Sequence, residues 1–115
     1  MPMCTVTTNL PREKIADDFA TSMSALLAKI LDKPEQRVTI IVHTGILVSC
    51  AGSLDPAMIV QLGSIDRFGE NRNNQKYADD IFKFVTEKTG IPFSRIRVVF
   101  TDIPGYMVAG LPSDQ

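Results

Sequence analysis

The fold is decided by the opening stretch of the chain, Met1-Pro2-Met3-Cys4-Thr5-Val6-Thr7-Thr8. Residues 3–8 alternate in character and are rich in β-branched side chains, which favours a strand. An initiator methionine is usually removed when the next side chain is small, and its removal would leave Pro2 as a free secondary amine at the head of this strand. An amine held firmly at a strand start can act as a base, so Pro2 is the first candidate for a reactive group.

Composition narrows the class of protein. The 115 residues, 44% hydrophobic and 22% charged, suit a single globular domain over residues 1–115. A net charge of −1 gives no broad positive field, so nucleic acid is not expected as a partner. No apolar run reaches the ~20 residues of a membrane span, and no signal-peptide pattern is present. Cys4 and Cys50 form no disulfide framework; they indicate a reducing compartment, with both thiols packed in strands. We therefore expect a cytoplasmic protein, with any export by a leaderless route.

Periodicity predicts two helices and several extended segments. The first helix begins near Asn9 or Pro11, with carboxylates in its opening turns, and ends before Pro34. The second covers about residues 75–88 and ends at Gly90. The extended segments after the opening strand are residues 38–43, 46–50, 57–65 (interrupted by Gly63), 96–101 and a short last piece, 106–109. Residues 66–74 are predicted to form a loop, and the tail 111–115 has no pattern.

The two halves of the chain repeat one arrangement, a strand, a helix, a proline and a second strand. Short strand–helix–strand connections are right-handed and make the two strands parallel. We therefore predict an α+β (α/β-like) fold, a duplicated β-α-β two-layer sandwich with a four-stranded mixed sheet and two helices on one face. Residues 38–42 and 96–100 are apolar on both sides, which a water-facing sheet does not tolerate. A homo-oligomer whose sheets face each other would cover them.

Short motifs along the whole chain accompany the Met1-Pro2-Met3 start. They are residues 8–11 (Thr-Asn-Leu-Pro), Lys33-Pro34, Gly52-Ser53 with Asp55-Pro56, and Ser64-Ile65. Together they resemble the macrophage migration inhibitory factor superfamily, and residues 30–38 are closer to its D-dopachrome tautomerase branch. The resemblance implies a homotrimer whose sheets line a central barrel, with a tautomerase pocket at each subunit interface. It also implies cytokine activity through the cell-surface form of the class II invariant chain.

By motif match, Pro2 takes the place of the family's catalytic base, Lys33 its substrate-anion ligand and Ile65 its backbone donor. Tautomerisation needs a base that is unprotonated at neutral pH, and burial and a neighbouring cation both lower the pKa of a prolyl amine. Lys33 and the Ile65 N–H would bind a carboxylate or an enolate oxygen. Taken alone, Lys33 is equally an ordinary helix C-terminal lysine that serves the helix dipole.

Three further residues are candidates for the substrate-binding site. Arg37 either lies at the pocket rim and steers acids or is a solvated strand start. Ser64 is expected to be a strand hydroxyl bonded to backbone rather than a nucleophile, because the single histidine, His43, is not placed beside it. Arg97 either faces a neighbouring subunit's pocket or pairs with a carboxylate across the trimer.

Two single positions and one short motif differ from the family pattern, and they bear on substrate preference and on the lining of the pocket. Arg97 and Val99 stand where the cytokine branch has a pocket tyrosine and a pocket asparagine, and Val108-Ala109-Gly110 stands in place of its Val-Gly-Trp motif.

We expect a tautomerase that uses Pro2 as a general base on an aromatic α-keto acid such as phenylpyruvate, or on D-dopachrome, where the product is a tautomer or a decarboxylated compound. The alternatives are a secreted cytokine-like, receptor-binding protein with a vestigial pocket, and a plain structural homotrimer. No cofactor and no metal site are predicted, because His43, Cys4 and Cys50 lack the short spacing of metal ligands.

Overall fold

The computed structural model describes residues 1–70 and 72–110. Asn71, predicted in a loop, and the tail 111–115 lie outside the described residues. Within them the strands are β1 (Met3–Thr8), β2 (Thr39–His43), β3 (Met58–Ser64) and β4 (Ile96–Asp102), and the helices are α1 (Phe19–Ile30) and α2 (Asn74–Thr89). Short 3-10 turns cover Arg12–Lys14, Glu35–Arg37, Phe93–Arg95 and Gly105–Met107.

The strands form one mixed sheet in the order β2-β1-β3-β4. β1 is parallel to β2, with Cys4 opposite Ile40, and antiparallel to β3, with Cys4 opposite Leu62. β3 is parallel to β4, with Leu62 opposite Phe100. Each parallel pair is joined through a helix, so the predicted duplicated β-α-β architecture is confirmed.

The core lies between one face of this sheet and the two helices. Side chains alternate along a strand, so every second residue of β1 and β3 points to the helices and is buried. From α1 the buried residues are Phe19, Met23 and Leu27, and from α2 they are Ala78, Ile81 and Val85. The predicted apolar stripes of both helices are therefore the surfaces that cover the sheet.

The first helix begins later than predicted, at Phe19 instead of near Asn9 or Pro11. Residues 12–14 form a 3-10 turn, and Ile15 after it is extended, with φ −103° and ψ 125°. The Arg12 guanidinium stabilises this break by donating to the Ile15 carbonyl oxygen at 2.9 Å and to the Asp17 carboxylate at 3.0 Å. Ile15 is buried although it is not helical. Ile15 was counted in the apolar stripe of the first helix because of its spacing, but its burial does not depend on a helical backbone.

Other predicted extended pieces are absent from the described residues. Residues 46–49 form no strand, and Cys50 makes only an isolated bridge to Ser53 across a tight turn. Cys50 is thus buried outside a strand, whereas Cys4 lies within β1 as expected. Residues 105–107 form a 3-10 turn where a last strand was predicted. An extended segment becomes a strand only when it pairs along its length. The Ile46 N–H donates to the Thr8 carbonyl oxygen at 3.1 Å, but this single bond does not continue into a ladder among the described residues.

Two further details concern β3 and the sheet surface. Gly63 does not interrupt β3, which continues to Ser64. No element of the described residues covers the face of the sheet away from the helices, and Met3 is exposed there by 45%, Ile41 by 41% and Val99 by 48%. Among the described residues, no helix combines the length and apolar character needed to cross a membrane.

Candidate active site

Pro2 lies at the amino-terminal end of an interior strand, between two neighbours. On one side, its carbonyl oxygen accepts a hydrogen bond from the Thr39 N–H at 3.1 Å, which extends the β1–β2 pairing by one residue. On the other side, Met3 is opposite Gly63, so the antiparallel register brings Ser64 next to Pro2. Pro2 is buried. In this chain Met1 precedes it, so its nitrogen is part of a peptide bond.

The connections at this end of the sheet carry the other candidate residues. β2 is parallel to β1, so the segment that enters β2, with Lys33 and Arg37, arrives at the end where Pro2 lies. β3 is antiparallel to β1, so the segment that leaves β3, beginning with Ile65, departs from that same end. The topology thus brings four of the residues predicted from sequence to one end of the sheet.

Lys33 is half-buried in the connection after α1, and its backbone N–H donates to the Ala28 carbonyl oxygen at 3.0 Å. The pKa of its ammonium group is lowered, first by burial and then by the positive charges of Arg67 and Arg37. The carboxylate of Asp66 acts in the opposite direction and is the smallest of these influences. This end of the sheet is therefore a partly desolvated, positively charged region, which suits an anionic ligand.

Ser64 does not make the backbone hydrogen bond expected of its hydroxyl. Its Oγ is buried and has no hydrogen-bond partner within the described part of the chain. Its carbonyl oxygen accepts a hydrogen bond from the Ile103 N–H at 2.8 Å. His43 is opposite Thr7, towards the far end of β1, so no imidazole accompanies this hydroxyl. A buried hydroxyl without a partner costs free energy, and Ser64 is thereby an unused donor beside Pro2.

Arg97 and Val99 do not meet Pro2 within one chain. They are opposite Ile59 and Gln61 on β3, and Ile59 lies about 13 Å along the strand from Gly63 at ~3.3 Å per residue. Both are exposed on the uncovered sheet face. The Arg97 guanidinium donates to the Ser94 carbonyl oxygen at 2.9 Å. Their predicted place in a pocket needs a second subunit and stays a prediction.

Val108 likewise stays a prediction as a pocket residue. It follows the 3-10 turn at residues 105–107 and is half-buried.

Sequence reasoning missed Arg67, because residues 66–74 carry no periodicity and were interpreted only as a polar loop. The Arg67 Nε donates to the Leu31 carbonyl oxygen at 3.0 Å, and its Nη1 donates to the Asp66 carbonyl oxygen at 3.2 Å. Asp66 has a left-handed backbone, with φ 55°, which turns the chain sharply after Ile65. The one signal available in the sequence was the position of Arg67 directly after the Ser64-Ile65 motif.

Two other features bear on chemistry. Burial raises the pKa of the Cys4 thiol to about 12, so this cysteine is an inert core residue. Across residues 1–70 and 72–110, no three His, Cys, Asp or Glu side chains form a group that could hold a metal ion. A cavity of about 310 Å³ between the helices, lined by residues such as Lys29, Tyr77 and Asp80, does not include Pro2.

Fold and site together define an α+β protein with a buried proline near its amino terminus, next to basic side chains and an unused hydroxyl. The family model "Macrophage migration inhibitory factor (MIF)" matches residues 1–112. A macrophage migration inhibitory factor homolog of Trichuris trichiura is 36% identical over 91% of this chain and 91% of its own length. A D-dopachrome decarboxylase of Xenopus tropicalis is 32% identical over 94% of this chain and 92% of its own length.

The solved structure of the macrophage migration inhibitory factor from Trichinella spiralis superposes with a TM-score of 0.90 at 31% identity, covering 95% of this chain and 96% of that one. The chain therefore belongs to the macrophage migration inhibitory factor family. Relatives of both branches are similar to it at comparable identity.

Proposed function

We propose that this protein is a tautomerase whose general base is the amine of Pro2, exposed by removal of Met1. The observation that carries the proposal is the position of Pro2, buried at the end of β1 between the entry to β2 and the exit from β3. That position gives a terminal amine the two conditions a base needs at neutral pH, little water and nearby positive charge.

The reaction would proceed at the carbon next to the keto group of an α-keto acid. The Pro2 nitrogen takes a proton from that carbon, the C–H electrons form a C=C bond, and the carbonyl π electrons move to oxygen. The enolate oxygen then takes a proton from water, and the protonated Pro2 amine gives its proton to the solvent, which yields the enol and restores the base. In the reverse direction the enol oxygen loses its proton to water and the protonated Pro2 amine delivers a proton to carbon. Lys33 and the Ile65 N–H would hold the substrate carboxylate or the developing oxyanion, and Ser64 Oγ is a further donor at this place.

The substrate we propose is an aromatic α-keto acid such as phenylpyruvate, or D-dopachrome. The half-buried cations Lys33 and Arg37 support an acidic substrate. The name of the Xenopus tropicalis relative, D-dopachrome decarboxylase, supports the second choice. Both substrates combine one carboxylate with a flat ring, which suits a partly apolar pocket with a cation at one end.

We also propose that the functional unit is a homotrimer. The uncovered sheet face, with Met3, Ile41 and Val99 exposed, supports association through the sheets. In such an assembly Arg97 and Val99 of one subunit would line the pocket of its neighbour. We propose the cytoplasm as the place of action, and the two free cysteines, Cys4 and Cys50, support a reducing compartment.

The test is turnover of phenylpyruvate and D-dopachrome, followed by ultraviolet absorbance, after intact-mass measurement has established that Met1 is absent. Pro2→Gly keeps a terminal amine but replaces the ring-held secondary amine by a flexible primary one, and it should lower turnover by at least about tenfold. A second variant, with one alanine inserted between Met1 and Pro2, keeps the proline but buries its nitrogen in a peptide bond. It should lower turnover at least as much while its circular dichroism and molecular mass stay those of the unaltered assembly.

The opposite results would overturn the proposal. If the alanine-insertion variant turns over substrate like the unaltered protein, Pro2 is not the base. If the trimmed protein turns over neither substrate, the receptor-binding alternative with a vestigial pocket is favoured.

A further inference from the structure

Arg67 is held rigidly at the end of the sheet where Pro2 lies. Its Nε donates to the carbonyl oxygen of Leu31 at 3.0 Å, one of the last carbonyls of α1, which α1 itself leaves unpaired. Its Nη1 donates to the Asp66 carbonyl oxygen at 3.2 Å. Its Nη2 makes no hydrogen bond to any described residue, so one edge of the guanidinium remains available. Leu31 precedes Lys33 by two residues, so this bond fixes the guanidinium near Lys33.

Among the residues that the structure describes, a single carboxylate opposes the positive charges that act on Lys33. Arg67 and Arg37 both act on the Lys33 ammonium as like charges. That carboxylate, Asp66, directs its Oδ1 to the Arg72 guanidinium at 3.0 Å. That ion pair is largely exposed, at 52% for Arg72 and 79% for Asp66, so it neutralises little of the charge at the half-buried site. A ligand with one negative charge would leave part of this positive charge unpaired.

A second observation points to a ligand at the same place. Ser64 is fully buried, and its Oγ has no partner among the described residues. It has the same orientation along β3 as Leu62 and Val60, which face the helices, so its hydroxyl lies on the side of the sheet where α1 ends. A carboxylate oxygen of a ligand would accept a hydrogen bond from this buried hydroxyl.

We propose that Arg67 is a second anion-binding residue of this site and that the site prefers aromatic keto acids with a second carboxylate over those with one. One carboxylate binds at Lys33 and the Ile65 N–H, and the second meets the free Nη2 edge of Arg67. The inference rests on the proposed tautomerase function for its kinetic test, but the anion contact itself can be tested without turnover. Arginine suits this role because it stays charged and presents donors in a planar fork.

The kinetic test compares phenylpyruvate with 4-carboxyphenylpyruvate in the unaltered protein and in Arg67→Gln. Glutamine keeps a donor for the Leu31 carbonyl oxygen but removes the charge. Arg67→Gln should raise KM for the diacid about tenfold, the effect of one charge-assisted hydrogen bond. KM for phenylpyruvate should rise much less, because this monoacid has no second carboxylate to contact Arg67. Arg12→Gln, which removes one positive charge beside the exposed Asp17, is the matched control and should change neither KM.

The binding test uses acids that cannot tautomerise. Calorimetric titration should give 4-carboxyphenylacetate about tenfold tighter binding than phenylacetate, and Arg67→Gln should abolish that difference. Such a result without any turnover would support the anion site while the tautomerase proposal fails. Equal binding of the two acids to the unaltered protein, or an equal rise in both KM values in Arg67→Gln, would overturn the role given to Arg67.

Discussion

The amide nitrogen of Thr39 lies 3.1 Å from the carbonyl oxygen of Pro2, and this hydrogen bond joins the second residue of the chain to the first residue of β2. It extends the parallel ladder one residue beyond the Met3–Thr39 pair. A terminal residue that is tied into a sheet cannot fray, and a base must be held within a fraction of an ångström of its target to be effective. The Thr39 N–H is therefore a positioning group for Pro2.

Thr39→Pro tests this positioning role, because proline removes the N–H in question and is tolerated as the first residue of a strand. Val38 before it already has φ −91° and ψ 129°, which a following proline accepts. We expect the free energy of unfolding to fall by about 1 kcal/mol and turnover to fall at least about tenfold. Stopped-flow or steady-state assays and urea unfolding measure the two effects.

Thr39→Val is the matched control, because it removes the hydroxyl and keeps the N–H. Its turnover should stay within about twofold of that of the unaltered protein. Unchanged turnover in a folded Thr39→Pro protein would mean that other contacts position Pro2.

Most of the fold followed from the sequence because strand alternation and the helical stripes are local signals. The start of α1 did not, because Ile15 is buried in the core whether or not it is helical. Arg67 was missed because its decisive contact, with Leu31, joins a loop to a helix end 36 residues away. The hydrophobic periodicity of a sequence carries no information about such a long-range hydrogen bond.

Only the part of the candidate site that depends on short motifs and on strand direction was predictable from the sequence. Pro2, Lys33 and Ile65 are recognisable from short motifs, and the strand directions bring them to one end of the sheet. The unpaired hydroxyl of Ser64 depends on side-chain packing that residue types do not specify. The roles of Arg97 and Val99 depend on a neighbouring subunit, which one chain does not contain.

Lys33→Met should weaken substrate binding and stabilise the folded chain at neutral pH. Burial and the charges of Arg67 and Arg37 lower the pKa of Lys33, so its charged form is disfavoured in the folded state. Removing the ammonium takes away this penalty and also the substrate's counter-ion, so KM for phenylpyruvate should rise about 10-fold or more. Lys33→Arg keeps the positive charge and should retain most of the binding.

The pH dependence of unfolding distinguishes the loss of the Lys33 charge from a change in packing as the cause of the stabilisation by Lys33→Met. Between the lowered pKa and the ordinary lysine value, the unfolded chain binds more protons than the folded one, so the unfolding free energy contributed by Lys33 rises with pH. The stability advantage of Lys33→Met over the unaltered protein should therefore shrink as pH rises through that window. Urea unfolding of both proteins at neutral and alkaline pH measures it. A constant difference would show that packing, not charge, sets the effect.

Ile41→Lys tests the proposed homotrimer. Ile41 is 41% exposed on the uncovered sheet face, opposite Thr5 in β1. If this face is covered by other subunits, the substitution buries an unpaired ammonium, at a cost of several kcal/mol. Sedimentation equilibrium should then give the mass of one chain instead of three, with turnover lost. Ala25→Lys places the same charge at an exposed position on α1 and should leave the mass unchanged. Loss of the trimer in both variants, or in neither, would contradict the proposal that the subunits associate through this face of the sheet.

A side chain at Gly63, where β3 approaches Pro2, would force Ile103 to shift, because its Cβ atom would lie 2.7 Å from Cδ1 of Ile103. Gly63→Ala should therefore destabilise the fold by about 1–3 kcal/mol, the cost of overpacking. Ile103→Val deletes that same Cδ1 atom and alone should cost about 0.5–1.5 kcal/mol. Combined, the two changes should cost less than their sum, because the valine removes the atom with which the new methyl group collides. Urea unfolding of the four proteins measures this coupling. Strict additivity would mean that the backbone of β3 moves instead of Ile103, in which case turnover should fall with Gly63→Ala and stay low in the double variant.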